Sequence, residues 1–170
     1  MSEPIGESGS GATKALIEDF GVHIGGAMGW PPMAGRAAGV LMLSQTPMTM
    51  PQLQEALDAS KGSVSETTRL LIATGTVERI KERGSRQSAY RWRDDAWIGC
   101  LQHQLEQTTE LLSLAERASR QGSALPPEQR GRLQAMHEYY TFMTERLEAL
   151  LREYTDRFSG DRVRSDPASN

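Results

Sequence analysis

Residues 49–93 read TMPQLQEALDASKGSVSETTRLLIATGTVERIKERGSRQSAYRWR, and this stretch decides the fold. Thr49 and Gln52 stand at the first and fourth positions of a capping box, which predicts a helix of about three turns beginning there. Ser60 can cap a second helix, and Gly75 is placed to end it. The expected buried side of this second helix carries Val64, Thr68, Leu71 and Ile72.

Two strands are predicted after the second helix. Residues 76–81 and residues 89–93 alternate apolar and polar side chains with a period of two, as strands do. Residues 82–88 contain a glycine and two arginines and are expected to form the tip of a hairpin. A pair of helices joined by a turn and followed by a β-hairpin is typical of a winged helix-turn-helix. The predicted fold class is therefore mainly α with a small β-wing.

The helix expected over residues 32–44 is rich in small residues. Gly35 and Gly39 are four positions apart, and each glycine costs about 1 kcal/mol of helix propensity relative to alanine. Close approach of another helix is the usual reason for such a pair. Arg36 is the only charge of this helix, and contact with phosphate and pairing with an internal acid are equally open to it.

The last helix, expected from Pro127 to about Phe158, carries an apolar seam. Its members alternate steps of three and four residues, as the a and d positions of a coiled coil do. They are Leu133, Met136, Tyr140, Met143, Leu147, Leu150 and Tyr154. The seam requires a partner helix, which a monomeric three-helix bundle or a second subunit could supply. We favour a homodimer in which Leu16 of the N-terminal helix also takes part.

These patterns together predict a winged helix-turn-helix plus a long-helix dimerisation region. The expected division is a disordered N-terminus (1–11), an N-terminal helix of the dimerisation region (12–30), the winged domain (31–93), a two-helix dimerisation region (94–158) and a disordered tail (159–170).

Basic residues are concentrated in the winged segment, although the net charge of the whole chain is −3. Residues 31–93 contain nine Lys/Arg and five Asp/Glu, a net of +4, whereas the remainder contains ten and seventeen, a net of −7. A charge run alone is often only a solvated face. Because this one adjoins a helix pair, it favours contact with the phosphates of double-stranded DNA.

Four short runs carry a resemblance to a known family. They are Ala34-Gly35-Arg36, Gly39-Val40-Leu41-Met42-Leu43-Ser44, Ser60-Lys61-Gly62-Ser63-Val64-Ser65 and Gly75-Thr76-Val77-Glu78-Arg79. From about Phe20 to Trp97 the chain resembles the GbsR-like branch of the MarR superfamily, and it is similar to mycobacterial-type MarR-like regulators of membrane transporters. The resemblance implies a homodimeric transcriptional regulator, usually a repressor of a transporter or efflux gene, released from a palindromic operator by a small molecule.

The residues expected to contact DNA lie on the second helix of the pair, on the wing and on the preceding helix. They are Arg36, Lys61, Gly62, Ser63, Ser65, Glu66, Arg69, Lys81, Arg83, Arg86 and Arg91. Arg69 is the best candidate for a bidentate guanine contact. Glu66 could accept from a cytosine amino group or pair with Arg69 three residues on, and we favour the pairing.

A pocket for a small hydrophobic effector is expected where the winged segment meets the long helices. The candidates are Phe20, Met28, Trp30, Met33, Trp97 and Leu101, since flexible methionines and aromatic rings suit varied apolar ligands. For any single one of these residues, an ordinary place in the core is the more probable interpretation.

Catalytic and metal-site patterns are not found in the sequence. The three histidines lack zinc-ligand spacing, and we identify no catalytic triad, phosphate loop or paired carboxylate, so we expect neither an enzyme nor a metal or other cofactor. Cys100 is expected to be a buried structural thiol rather than a redox sensor. The chain lacks a long apolar run, so a cytoplasmic protein without membrane contact is expected. The alternatives are a helical protein-interaction module and a non-specific DNA-associated protein.

Overall fold

The computed structural model describes the backbone of residues 7–81 and 87–165, and the side chains of residues 11–81 and 87–159. In order the elements are α1 (Glu7–Met28), α2 (Pro32–Leu43), β1 (Met48–Thr49), α3 (Met50–Leu57), α4 (Lys61–Ala73), β2 (Val77–Lys81), β3 (Ser88–Trp92), α5 (Ala96–Gln121), a 3-10 turn (Gly122–Ala124) and α6 (Pro127–Ser165). The chain is mainly helical with one small sheet, which confirms the predicted fold class. It divides into two compact units, the winged unit (1–96) and the long-helix unit (97–170).

The turn between α3 and α4 is fixed by local chemistry. At the start of α3, the Gln52 side-chain oxygen accepts from the Thr49 backbone N–H at 2.8 Å, the reciprocal bond of a capping box. Asp58 ends α3 in the left-handed region with φ 49°. The Ser60 hydroxyl oxygen then accepts from the Ser63 N–H at 3.3 Å and caps α4. Both helices therefore begin where the sequence predicts.

The sheet has three antiparallel strands in the order β1-β3-β2. Gly75, with φ 73°, ends the turn that leads from α4 into β2. The two residues of β1 pair with Tyr90 and Ala89 of β3, and the sequence analysis missed this strand. The tip of the wing, residues 82–86, lies outside the described residues.

The core of the winged unit lies between α2, α3, α4 and the sheet. Its fully buried side chains include Leu41, Leu53, Leu57, Val64 and Leu71. All of these helices therefore contribute to one apolar core that orients α4.

Helix α2 packs closely on α1, which confirms the reason expected for its glycines. A Cβ atom added at Gly35 would lie 2.4 Å from the Phe20 carbonyl oxygen, and one added at Gly39 would lie 2.5 Å from the Phe20 ring. Side chains at these two positions would separate the helices, so the propensity cost of glycine is offset by tight packing.

The long-helix unit consists of α5, the 3-10 turn and α6. Helix α6 begins at Pro127 as expected. Few of the described side chains of this unit are buried; they include Ala115 and Leu147.

Three expectations need correction. Residues 7–11 are helical and not disordered, since α1 begins at Glu7, and residues 159–165 continue α6. The N-terminal helix packs on α2 within the winged unit, and its part in dimerisation stays a prediction. On α4, Ile72 is exposed, whereas Thr67, one turn before Leu71, is buried.

Candidate nucleic-acid interface

Helix α4 has one buried side and one polar side. Its buried residues are Val64, Thr67, Thr68 and Leu71. Lys61, Gly62, Glu66 and Arg69 are exposed, and Ser63 and Ser65 are half-buried. The structure thus places the six predicted α4 contacts together on the side away from the core, where a recognition helix requires them.

Arg69 is anchored to its own helix, and not by the acid that the sequence analysis favoured. Its Nε donates to the Ser65 carbonyl oxygen at 3.3 Å. Among the described residues Glu66 forms no ion pair with Arg69, so the expected pairing is wrong. The terminal nitrogens of the Arg69 guanidinium take part in no hydrogen bond or ion pair of the described chain, and their side of the helix faces away from the core.

Arg36 is engaged inside the winged unit. Its Nε lies 2.9 Å from a carboxylate oxygen of Glu18 on α1, an ion pair by distance whose alignment falls short of a hydrogen bond. Its Nη1 donates to the Leu57 carbonyl oxygen at the end of α3, at 3.4 Å. Of the two alternatives left open, pairing with an internal acid is the one that the geometry favours.

Two wing arginines are held by carboxylates. Arg91 on β3 lies directly across from Glu78 on β2, and its Nε donates to the Glu78 carboxylate at 2.6 Å. This hydrogen bond raises the pKa of Arg91 above its ordinary value. Arg93 forms a bidentate pair with Asp95, both bonds at 2.8 Å, and this hydrogen bonding raises the pKa of Arg93. Both charges are thus largely compensated within the wing.

The other described cations of the wing are Arg79 and Lys81 on β2. Both are exposed, and neither belongs to an ion pair of the described residues. Arg79 pairs in register with Tyr90, a core residue, so Arg79 shares the sheet face that packs against the helices. The sequence analysis did not single out Arg79, because the strand register decides which of the two sheet faces carries Arg79 and which carries Arg91.

Arg79 lines an open groove between the helix pair and the wing. The groove has a volume of about 360 Å³ and is bordered by Met50, Pro51, Gln54, Lys61, Arg79, Gln87, Ser88 and Tyr90. It therefore joins the beginnings of α3 and α4 to the base of the wing. Arg83 and Arg86, the predicted contacts at the wing tip, lie outside the described residues.

Comparison with known proteins finds similarity to transcriptional regulators. The family model described as "MmpR5-like MarR family transcriptional regulator" matches residues 95–157. The chain is 29% identical over 130 residues to the HTH-type transcriptional regulator MmpR5 of Mycobacterium tuberculosis, covering 76% of this chain and 79% of that protein. It is 33% identical over 79 residues to the HTH-type transcriptional repressor OpcR of Bacillus subtilis, covering 46% of this chain and 42% of that protein.

A solved structure agrees over nearly the whole fold. The crystal structure of a transcriptional regulator superposes with a TM-score of 0.79 at 26% identity, covering 85% of this chain and 99% of that chain. The chain is thus similar to MarR-family transcriptional regulators over most of its length. This similarity confirms the superfamily resemblance named from the sequence, while the GbsR-like branch is not separately tested.

The effector candidates of the chain occupy different environments. Trp30 and Met33 pack against the core of the winged unit, and the Phe20 ring lies on Gly39 of α2. Met28 and Trp97 are exposed, whereas Leu101 is half-buried. Trp30, Met33 and Phe20 thus have the packing role that the sequence analysis favoured for each residue taken singly.

The predicted dimerisation residues are incompletely covered within one chain. Leu147 is buried, Leu150 is 47% exposed, and Leu16 on α1 is also exposed. The remaining seam residues, Leu133, Met136, Tyr140, Met143 and Tyr154, are half-buried. The same helix also exposes Tyr139 and Phe142.

Three further observations bear on the chemistry of the chain. Partial burial raises the pKa of the Cys100 thiol. In the part of the chain that the structure describes, no three His, Cys, Asp or Glu side chains lie close enough together to hold a metal ion. No helix in that same part is both long and apolar enough to cross a bilayer.

Proposed function

We propose that this chain is a homodimeric, sequence-specific DNA-binding regulator that acts in the cytoplasm as a repressor. The observation that carries the proposal is the groove in which Lys61, at the start of the exposed side of α4, lies beside Arg79 of the wing, neither of them ion-paired among the described residues. A helix of this polarity fits the major groove, while the cations beside it can neutralise flanking phosphates.

Base readout is assigned to the middle of α4. Arg69 lies two turns into the helix and can present its guanidinium edge to the two acceptors of a guanine, a contact worth about 1–3 kcal/mol of discrimination. Ser63 and Ser65 supply hydroxyl groups for a base edge or a phosphate. Lys61 and Gly62 lie at the N-terminal end of α4, where backbone N–H groups and the helix dipole favour an anion.

A dimer is proposed because of the seam on α6. Apart from the buried Leu147, its a and d positions are half-buried or exposed, and covering them with a second copy would remove apolar surface from water at about 25 cal/mol per Å². Two α4 helices related by a two-fold axis would read a palindromic operator with half-sites about one helical turn apart.

Repression and release are proposed from similarity. The similarity to OpcR, which is named a repressor, supports repression. The proposed target is a transporter or efflux gene, as the family resemblance of the sequence implies. Release by a small hydrophobic molecule is tested by mass spectrometry of compounds that co-purify with the protein. Protein that is free of any bound organic compound, and whose DNA affinity no apolar compound changes, would count against it.

The test of the main proposal is a gel-shift titration with DNA from upstream of the chain's own gene and with a scrambled duplex of equal length. At physiological salt, we expect a specific complex with the upstream DNA only. Equal, strongly salt-sensitive binding to both duplexes would indicate a non-specific DNA-associated protein. Absence of any complex at low salt would favour the protein-interaction module.

Two variants separate the roles of the residues. Arg69→Ala should lose discrimination at one base pair and keep its affinity for scrambled DNA. Arg83→Ala or Arg86→Ala at the wing tip should weaken binding to both duplexes and lower the salt slope by about one per lost phosphate contact. An equal loss on both duplexes for Arg69→Ala would remove it from base readout.

A further inference from the structure

The described lining of the groove between the helix pair and the wing is positively charged. Among the described residues that line it, Lys61 and Arg79 are basic, and none is Asp or Glu. Neither cation belongs to an ion pair of the described chain. Within the described residues, their charges therefore face the groove without a carboxylate beside them.

The two faces of the wing differ in this respect. On one face Glu78 compensates Arg91 at 2.6 Å. On the opposite face, which packs against the helices, Arg79 lies across from Tyr90 and two residues after Val77, and both Tyr90 and Val77 are buried. Because its strand is fixed by this core, the Arg79 side chain leaves the sheet at a defined place above the start of α4.

Neutral hydrogen-bonding groups complete the lining. Gln54 of α3 and Ser88 of β3 add an amide and a hydroxyl group to the two cations, while Met50, Pro51 and Tyr90 form the apolar remainder. Lys61 is the first residue of α4, a helix of 13 residues, so its ammonium group lies near the positive end of the helix dipole. Two cations, an amide and a hydroxyl converging on an open groove match the chemistry of a phosphodiester.

We propose that this groove binds one phosphodiester of the DNA backbone through Arg79 and Lys61, and so fixes the register of α4 in the major groove. The inference rests on the proposed function and names a contact that the function does not require. Arg79 is thus a phosphate-positioning residue from the base of the wing, distinct from the wing-tip arginines.

The experiment is a fluorescence-anisotropy titration of the full chain with the upstream duplex at several salt concentrations. For Arg79→Gln we expect roughly a tenfold weaker affinity, the scale of one lost hydrogen bond to a charged group. We also expect a salt slope lower by about one unit, on specific and scrambled DNA alike. Arg79→Lys keeps the charge and should restore most of the slope, and Lys61→Gln should act in the same direction as Arg79→Gln.

Two controls decide where the phosphate lies. Arg132→Gln on α6 removes one positive charge outside the winged unit and should leave the slope unchanged. Arg91→Gln removes the paired arginine of the opposite sheet face and should lower the slope by less than Arg79→Gln does. A loss for Arg91→Gln equal to or greater than that for Arg79→Gln overturns the proposal.

The remaining outcomes separate this proposal from the function on which it rests. If the wild-type chain binds its upstream duplex and Arg79→Gln binds it with the same affinity and slope, the groove proposal fails and the DNA-binding function stands. If the wild-type chain binds no duplex, the function fails and the groove proposal fails with it. A free anion is the other source of phosphate, so inorganic phosphate is titrated into the protein and binding is followed by NMR. Saturation at micromolar phosphate, together with unchanged DNA binding of Arg79→Gln, would assign the groove to a free anion.

Discussion

The winged unit and the long-helix unit bury their apolar residues to different degrees. In the winged unit, side chains from α2, α3, α4 and the sheet form one continuous buried core. In the long-helix unit, Leu147 is buried, but the other a and d residues of α6 are half-buried and Leu150 is 47% exposed. The first unit therefore obtains its stability within one chain, and the second presents apolar surface that a partner could cover.

Loss of a core side chain should have the largest effect of the substitutions considered. Leu53→Ala removes a side chain with 0% exposure from the centre of the winged unit, and we expect the free energy of unfolding to fall by about 2–5 kcal/mol. Because this core is intramolecular, the loss should not depend on protein concentration. Urea denaturation at two concentrations measures it, and a loss below about 1 kcal/mol would contradict a well-packed core.

Close packing of α1 on α2 should be the next most sensitive feature. In Gly35→Ala the new methyl group would lie 2.4 Å from the Phe20 carbonyl oxygen, so the helices must separate, at a cost of about 1–3 kcal/mol. Gly26→Ala on α1 is the matched control, since a Cβ atom there meets nothing within 4 Å and the gain in helix propensity should reach at most about 1 kcal/mol. Thermal unfolding of both variants compares them, and a loss in both would assign the effect to the helix rather than to the contact.

Charge in the seam should affect association more than folding of the winged unit. Leu150→Asp places a carboxylate at a d position of α6. If the seam is the dimer interface, the dimer dissociation constant should rise at least tenfold. This corresponds to the loss of a hot-spot contact of about 1.4 kcal/mol or more. Sedimentation measures the change. Ala149→Asp adds the same charge one position off the seam, so an equal effect in the two variants would remove the seam from the interface.

The smallest effect concerns the single thiol. Because burial raises the pKa of Cys100, its thiolate fraction at neutral pH is lower than that of an exposed cysteine, and alkylation should be correspondingly slow. The rate should rise with pH and reach its plateau at a higher pH than for glutathione. Alkylation as fast as that of glutathione at pH 7 would contradict the environment that the structure gives this residue.

Local signals in the sequence were sufficient for the beginnings of α3 and α4 and for the end of α4. The capping residues Thr49 and Ser60 and the left-handed Gly75 act within a few residues of themselves, so these boundaries could be predicted from short stretches. The small residues of α2 likewise predicted a close helix contact, though not that α1 supplies it.

Contacts between distant positions could not be predicted in the same way. Strand β1 exists only because Met48 and Thr49 pair with β3, some forty residues later. The choice between Arg79 and Arg91 depends on strand register, which places Glu78 across from Arg91 and Tyr90 across from Arg79. Ile72 was assigned to the buried side of α4 because it is apolar, whereas the buried side chain is that of Thr67.

Arg36 joins three helices through one guanidinium group. Its own helix packs on α1 without intervening side chains at Gly35 and Gly39, and the group itself touches Glu18 on one side and the last carbonyl of α3 on the other. Because no side chain of α2 stands between the helices at Gly35 and Gly39, a displacement of α1 should be transmitted to α2. The amino-terminal helix is therefore linked to the helix pair α3–α4 in two ways, by its close packing on α2 and by the side chain of Arg36.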